Sequence, residues 1–282
     1  EWSWWRRRFD PKVGPAIRMA QRVAPGVWHS IGWVPVCIAL AGAAVDTYHW
    51  SRAAPLWLDE QMVAINLRDR SVGNLAGTLS LGQTAPYGWL AVERAVLVSA
   101  GPGERPLRAV PLLFGIAMVA AAVWIGHRWF TRVGAVLLVL ICWIGTLLSQ
   151  YRFEVKHYTA DAFFALLLPA LAVWATEAAT QTERRRRTFV WWAVAAAGHW
   201  FAYGALFVTP ACAMCLCVFV WRRDGAREAM RFATAGLVWL ISFGLHYHVA
   251  IQYTHHSQFL RTYWQDHVPP AAAGLPERLR WL

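Results

Sequence analysis

Long apolar runs recur along the chain and are separated by short polar segments. A helix of about 20 apolar residues crosses the roughly 30 Å hydrocarbon core of a bilayer. Only helices and closed barrels satisfy their backbone hydrogen bonds in lipid, and the sequence lacks the alternating ten-residue segments of a barrel. We therefore predict an all-α polytopic membrane protein. Its transmembrane helices number about seven, at residues 27–48, 107–126, 133–148, 161–176, 189–203, 206–221 and 232–251.

The polar stretch between the first two runs, residues 49–106, is predicted to be the first external loop. Residues 60–70 contain too few apolar side chains to cross a membrane and favour a short interfacial helix. The apolar stretch 84–99 is interrupted by Glu93 and Arg94. A charged side chain at the bilayer centre costs at least about 2.5–3.5 kcal/mol, which disfavours a full crossing there. We expect a second interfacial or re-entrant helix, with both charged residues near the surface.

Basic residues are grouped at the ends of the predicted helices, which is the pattern that sets membrane orientation. Residues 1–26 are basic and aromatic and suit an amphipathic segment on the cytoplasmic face. The other basic groups then also lie inside; they are His127, Arg128 and Arg132, Arg184 to Arg187, and Arg222, Arg223, Arg227 and Arg231. A full crossing by 84–99 would move them all outside. Residues 27–282 form one transmembrane domain, which we expect to continue into further spans beyond Leu282.

The composition agrees with a membrane protein and narrows the range of partners. Of the 282 residues, 57% are hydrophobic and 15% charged, against roughly 25% charged in soluble domains. A net charge of +11 is compatible with nucleic-acid binding, but its position at helix ends assigns it to topology. The five cysteines lie inside apolar runs and suit small core hydrophobes better than metal or redox ligands. We expect contact with the lipid bilayer and none with nucleic acid.

Asp59 and Glu60 form a carboxylate pair shortly after the first apolar run. One interpretation is structural, because acidic residues suit the first turn of a helix over 60–70. The other is chemical, because a carboxylate at the membrane surface can act as an acid or base. These two residues by themselves leave both interpretations open.

A second external segment, residues 151–161, is dense in polar side chains for a turn at the edge of a membrane. Its candidates are Arg152, Glu154, Lys156, His157, Tyr158 and Asp161. Ionisable groups in such a place normally face a cavity and mark a functional site. The structural alternative is an interfacial loop with a snorkelling Lys156 and with Asp161 as the helix cap.

A third segment, residues 255–267, contains His255, His256 and His267. Adjacent histidines on a helix point in different directions, which disfavours a shared metal ion. We interpret this segment as interfacial and aromatic.

Four motifs occur in an order that resembles a known family. They are Leu56-Trp57-Leu58-Asp59-Glu60, Gln83-Thr84-Ala85-Pro86-Tyr87, Glu104-Arg105-Pro106-Leu107-Arg108-Ala109-Val110-Pro111 and Glu154-Val155-Lys156-His157-Tyr158-Thr159-Ala160-Asp161. The chain resembles the GT-C superfamily of integral membrane glycosyltransferases. Within it, the chain is similar to the branch of protein mannosyltransferases, lipid A aminoarabinose transferases and bacterial lipopolysaccharide-core sugar transferases. His157 departs from the pattern, which has proline between the lysine and the tyrosine.

The resemblance implies an enzyme that inverts the anomeric carbon of a sugar carried by a polyprenyl-phosphate donor. Transfer would take place on the extracytoplasmic face of the plasma (inner) membrane, and the acceptor would be a glycan, a glycolipid or a protein. The implied roles are Asp59 as general base with Glu60 beside it, Lys156 with Arg152 and Tyr158 on the donor phosphate, and Glu154, Asp161, His157 and Gln83 as positioning residues. No cofactor is implied, and a divalent metal is the disfavoured alternative.

Two other classes of function stay open at the level of sequence. The first is a transporter or flippase of a lipid-linked or anionic solute. Transporters tend to have paired repeats and charged or broken helices at the membrane midplane, whereas the charges here gather at one surface. The second is a non-catalytic membrane subunit with a degenerate transferase fold, which the departure at His157 supports.

Overall fold

The computed structural model describes residues 32–264, apart from the side chains of His255, Arg261 and Trp264. This part of the chain is 81% helical and contains no strand. The predicted cytoplasmic segment 1–26, the start of the first predicted span and the third candidate segment beyond Trp264 lie outside the described residues. So does the expected continuation beyond Leu282.

The described helices run in the following order. They are α1 Val34–Ser51, α2 Leu58–Asp69, α3 Tyr87–Ala100, α4 Glu104–Leu107, α5 Ala109–Trp129, α6 Arg132–Ile144, α7 Thr146–Tyr151, α8 Tyr158–Thr176, α9 Gln181–Gly198, α10 Ala205–Asp224, α11 Ala226–Ala235, α12 Leu237–His246, α13 Gln252–His256 and α14 Gln258–Trp264. Two short 3₁₀ turns, Gly73–Leu75 and Ser80–Gly82, connect α2 to α3, and a π-helical turn, Tyr247–Ile251, connects α12 to α13.

Four helical stretches are long and apolar enough to cross a membrane. They are Ala109–Trp129, Tyr158–Thr176, Ala205–Asp224 and the stretch Ala226–Thr254 that joins α11 to α13. An all-α chain with four candidate membrane spans is thereby confirmed over residues 32–264, and the count of seven spans stays a prediction. Helix α6 is apolar but has only 13 residues, and Gly145 separates it from α7. At about 1.5 Å per residue, α6 alone is too short for the hydrocarbon core.

The region between α1 and α5 contains α2 and α3, which match the two short helices expected for residues 49–106, and also the single-turn helix α4. Their position relative to a bilayer stays a prediction. A compact apolar core holds them together, with Leu67, Trp89, Leu107 and Val155 almost fully buried in it. Burying one such side chain contributes about 1.5–3 kcal/mol. Val155 brings the segment before α8 into this core and so fixes its neighbours beside α2.

A buried chain of hydrogen bonds ties the start of α3 to the bundle. Ser242 Oγ donates its proton to the carbonyl of Ala196 at 2.8 Å, so His199 Nε2, 3.1 Å away, must be the donor to Ser242. His199 Nδ1 therefore accepts from His246 Nδ1 at 3.0 Å, and His246 Nε2 accepts the backbone N–H of Tyr87 at 3.3 Å. Both imidazoles are neutral in this arrangement. It satisfies a backbone donor in the first turn of α3 that the helix itself leaves without a partner.

Glu93 on α3 is fully buried inside the protein, whereas its depth relative to the membrane surface stays a prediction. Neither carboxyl oxygen has a hydrogen-bond partner among residues 32–264. Burial raises the pKa of Glu93 well above its ordinary value of 4.5. The carboxyl group is therefore held protonated, because an isolated buried carboxylate is far more costly than a neutral acid.

We expect the Glu93→Gln variant to be more stable than the wild type at pH 8. The folded state keeps a proton that the unfolded state releases, so wild-type stability falls as the pH rises above about 4.5 towards the raised pKa of Glu93. Glutamine cannot ionise and removes this loss. Melting temperatures from pH 5 to 8 would measure the difference between the two slopes. Glu104→Gln, a partly exposed acid in α4, is the control and should keep the wild-type slope; equal slopes for Glu93→Gln and wild type would contradict a buried acid.

Candidate active site

Three side chains predicted from separate motifs meet at one point. Lys156 Nζ lies 2.8 Å from Asp59 Oδ2 and donates to Gln83 Oε1 at 2.8 Å. The Gln83 amide nitrogen in turn donates to Asp59 Oδ1 at 3.2 Å. Asp59 comes from the first turn of α2, Gln83 from the end of the second 3₁₀ turn, and Lys156 from the segment before α8. We call these three residues the Asp59 triangle.

The Asp59 triangle is open on its carboxylate side. The Asp59 side chain is 37% exposed, whereas the Lys156 side chain is only 8% exposed. An approaching molecule can therefore reach the Asp59 carboxylate directly, while the lysine charge is partly shielded from water. Shielding strengthens the interaction of the ammonium group with an anion.

Glu60 follows Asp59 but faces the opposite environment, with only 1% of its side chain exposed. Arg108 binds it through two hydrogen bonds, Nε to Oε1 at 2.9 Å and Nη2 to Oε2 at 2.6 Å. The backbone N–H groups of Val155 and Trp57 add bonds of 2.9 and 3.1 Å. Each carboxylate oxygen thus accepts two hydrogen bonds. Successive helical residues point about 100° apart, so one carboxylate of the pair faces out and the other faces in.

The Glu60–Arg108 ion pair joins three parts of the chain. Arg108 caps the start of α5 and also donates to the carbonyls of Ala54 and Pro55. Glu60 holds the backbone at Val155, next to Lys156. The structural interpretation of the carboxylate pair therefore applies to Glu60, and the chemical interpretation is left to Asp59.

Arg152 is fully buried, and its hydrogen-bond partners do not include the three residues of the Asp59 triangle. Its Nη1 donates to Asp46 Oδ2 at 2.9 Å, and its Nη2 donates to the carbonyls of Cys142 and Trp143. These carbonyls end α6 and have no partner within the helix. The position favours a structural role for Arg152 over the phosphate-binding role that the resemblance implies.

Tyr158 and Glu154 border the Asp59 triangle. The Tyr158 side chain is partly exposed at the first turn of α8 and packs on Tyr151, with ring centroids 4.6 Å apart. The carboxylates of Asp59, Glu154 and Asp161 all act electrostatically on its hydroxyl group. Glu154 is buried and accepts a hydrogen bond from Gln150 at 2.6 Å. Tyr158 therefore lies within electrostatic range of the Asp59 carboxylate.

His157 and Asp161 connect the site to the turn between α9 and α10. His157 Nε2 lies 3.4 Å from Asp161 Oδ2, and Asp161 Oδ1 accepts the N–H of Gly204 at 2.8 Å. Burial and the neighbouring Lys156 charge lower the pKa of His157 to about 3. A neutral imidazole occupies the position where the family pattern has proline, packed against Trp89 and Tyr203.

Two structural residues escaped the sequence-based prediction. Arg108 was part of a recognised motif but received no role. Asp46 lies inside the first predicted span, where a carboxylate normally has a partner, and that signal could have pointed to Arg152. Over residues 32–264 no group of three or more His, Cys, Asp or Glu side chains is arranged to hold a metal ion.

Comparison of the chain with protein-family models, with curated proteins and with solved structures found no match. The function is therefore inferred from the geometry of the site and from the ordered motifs.

Proposed function

We propose that the chain is a membrane glycosyltransferase of the GT-C type that moves a sugar from a polyprenyl-phosphate donor to an extracytoplasmic acceptor. The observation that carries the proposal is the Asp59 triangle, in which an exposed carboxylate contacts a shielded ammonium group at 2.8 Å. A lipid-phosphate sugar already contains its leaving group. Its transfer needs only a base for the acceptor hydroxyl and a cation for the departing phosphate, and the triangle contains one of each.

The proposed reaction is a single displacement. The donor phosphate binds Lys156 and replaces Asp59 as its ionic partner, which frees the Asp59 carboxylate. Asp59 then accepts the proton of the acceptor hydroxyl as that oxygen attacks the anomeric carbon. The bond from this carbon to the phosphate oxygen breaks, its electron pair stays on the phosphate, and the configuration inverts. Gln83 keeps both groups at a fixed separation, and Tyr158 donates a hydrogen bond to the phosphate.

Several features support the membrane part of the proposal. Four helical stretches have the length and hydropathy of spans. We propose that α1, α9 and the α6–α7 pair complete a set of seven, with α2 and α3 lying at the extracytoplasmic surface. The Asp59 triangle then faces outwards in the plasma (inner) membrane, while the basic ends of α5, α9 and α10 face the cytoplasm.

The Lys156→Gln variant is expected to transfer sugar roughly 10–100-fold more slowly at low donor concentration, because it loses a charge-assisted hydrogen bond to the phosphate. The effect should appear mainly in KM for the donor. The measurement uses membranes that contain the protein and a radiolabelled polyprenyl-phosphate sugar, with the label followed into products other than the donor.

Arg105→Gln is the matched control, because it removes an exposed cation of the same external region and should leave the rate unchanged. Equal donor KM values for wild type and Lys156→Gln would exclude Lys156 as a phosphate ligand. Label that crosses sealed vesicles without being transferred would instead support a transporter.

A further inference from the structure

A second recess, which we call the α1–α6 groove, lies between the C-terminal end of α1 and the break between α6 and α7. It encloses about 600 Å³. Among the described residues, its lining includes Arg108 and Arg152 but none of the three members of the Asp59 triangle. The groove is therefore separate from the Asp59 triangle. Its lining includes Arg108 of the Glu60–Arg108 ion pair and Arg152 of the Asp46–Arg152 ion pair.

The charged side chains in the deep part of the α1–α6 groove already form ion pairs. Asp46 accepts hydrogen bonds from Arg152 at 2.9 Å and from the Trp143 indole at 3.3 Å. Arg108 is bound by Glu60. These contacts leave no buried carboxylate in the lining without a partner, so the deep part does not repel an anion.

The walls of the groove are apolar and continue onto the outer surface of the helices. Val45 of α1 and Ile144 of α6 are 44% and 59% exposed, and both line the groove. Trp143 and Phe153 complete the walls. Large exposed apolar residues next to the groove, such as Ile141 and Leu147, are those expected on a surface that faces lipid.

The mouth of the groove carries the positive charge of Arg52. Arg52 and His49 line it, and both are exposed. Arg52 donates to the Tyr48 hydroxyl at 3.1 Å and forms no ion pair with a carboxylate of residues 32–264. Val45 and Arg52 are seven residues apart, which is about 10 Å along a helix. The charged and apolar parts are thus separated along the helix axis, as they are in a lipid molecule.

We propose that the α1–α6 groove binds an anionic glycerophospholipid of the surrounding bilayer. Its phosphate contacts Arg52 and His49, and the beginning of its acyl chains lies against Val45 and Ile144. The charge of the mouth selects an anionic headgroup, because juxtamembrane basic residues attract such lipids. The apolar walls select a lipid over a free anion, because they exclude water only when a chain covers them. This proposal does not depend on the transfer reaction.

The test measures lipid binding to the purified full-length chain in a neutral detergent by native mass spectrometry. Phosphatidylglycerol is expected to bind the wild type, and the Arg52→Gln variant should bind it about fivefold more weakly. Arg227→Gln is the matched control, because it removes one exposed arginine at the cytoplasmic end of α11 and should bind like the wild type. A Val45→Trp variant, which fills the groove without changing the charge, should also weaken binding.

Four outcomes would overturn the proposal. If phosphatidylcholine bound as tightly as phosphatidylglycerol, the groove would not select lipids by the charge of the headgroup. Inorganic phosphate that displaces the lipid would make the site a simple anion site. Polyprenyl phosphate that displaces it at an equal mole fraction would assign the groove to that lipid class. Equal affinities of wild type, Arg52→Gln and Val45→Trp would place the bound lipid elsewhere on the protein.

Discussion

Replacing Asp59 with asparagine is expected to reduce sugar transfer about 1,000-fold, because a general base contributes roughly 10²–10⁴ to the rate. Asparagine has nearly the same shape and can keep a hydrogen bond to Gln83, but it cannot accept the proton of the acceptor hydroxyl. The side chain is partly exposed, so the change should leave the fold intact. The loss should appear in kcat, since Lys156 and not Asp59 is the proposed ligand of the donor phosphate.

The control for this variant is Asp69→Asn, which removes an exposed carboxylate from the last turn of the same helix, α2. It should transfer sugar at the wild-type rate. Asp69→Asn should melt like the wild type, as surface substitutions usually change stability by less than about 0.5 kcal/mol. Asp59→Asn leaves the shielded Lys156 ammonium without its carboxylate and should melt lower, so its transfer rate is compared per amount of folded protein. Undiminished transfer in membranes that contain folded Asp59→Asn protein would exclude Asp59 as the base.

Removal of one partner of the Glu60–Arg108 ion pair is expected to lower the free energy of unfolding by about 3–5 kcal/mol. Either Glu60→Gln or Arg108→Met leaves an uncompensated charge or an unsatisfied donor set in the core between α2, α5 and Val155. Thermal unfolding followed by tryptophan fluorescence measures the loss. Because Glu60 also holds the backbone next to Lys156, any folded fraction should bind the donor more weakly.

The double variant Glu60→Met/Arg108→Met separates the ion pair from the packing around it. An apolar pair of similar volume removes both charges and should be less destabilising than either single change. Arg105→Met, three residues before Arg108 and exposed, is the matched control and should be near neutral. A single Glu60 or Arg108 variant that melts like this control would contradict a structural role for the pair.

The length of the apolar runs predicted the long helices well, because the burial of such a helix depends on composition over many residues. Helices α5, α8 and α10 begin and end within a few residues of the predicted runs. The run 133–148 was less well predicted, since α6 ends at Ile144 and a separate helix, α7, begins at Thr146. A glycine inside an apolar run carries no sign of the break, which is stabilised by Arg152 at the carbonyls that end α6.

The sequence predicted which residues belong to the candidate site better than it predicted the contacts among them. Asp59, Lys156 and Gln83 come from three motifs, and their contact depends on how the core around Val155 packs. Arg152 illustrates the opposite outcome. The resemblance implied a phosphate site that Arg152 shares with Lys156. Gly115 instead leaves room for the Arg152 side chain, because a Cβ at Gly115 would come within 2.5 Å of Arg152 Cγ. The arginine turns inwards to Asp46 instead.

Hydrophobic patterning alone was enough to predict a helical chain with candidate membrane spans and with its candidate site residues in the segments between these spans or at their ends. This holds because the cost of exposing apolar surface or leaving backbone groups unpaired in lipid depends mainly on local composition. Which of two adjacent carboxylates is exposed was decided only by the tertiary structure. Asp59 and Glu60 are chemically alike, and their difference arises from Arg108 and Val155, which approach from distant parts of the chain and bury only Glu60.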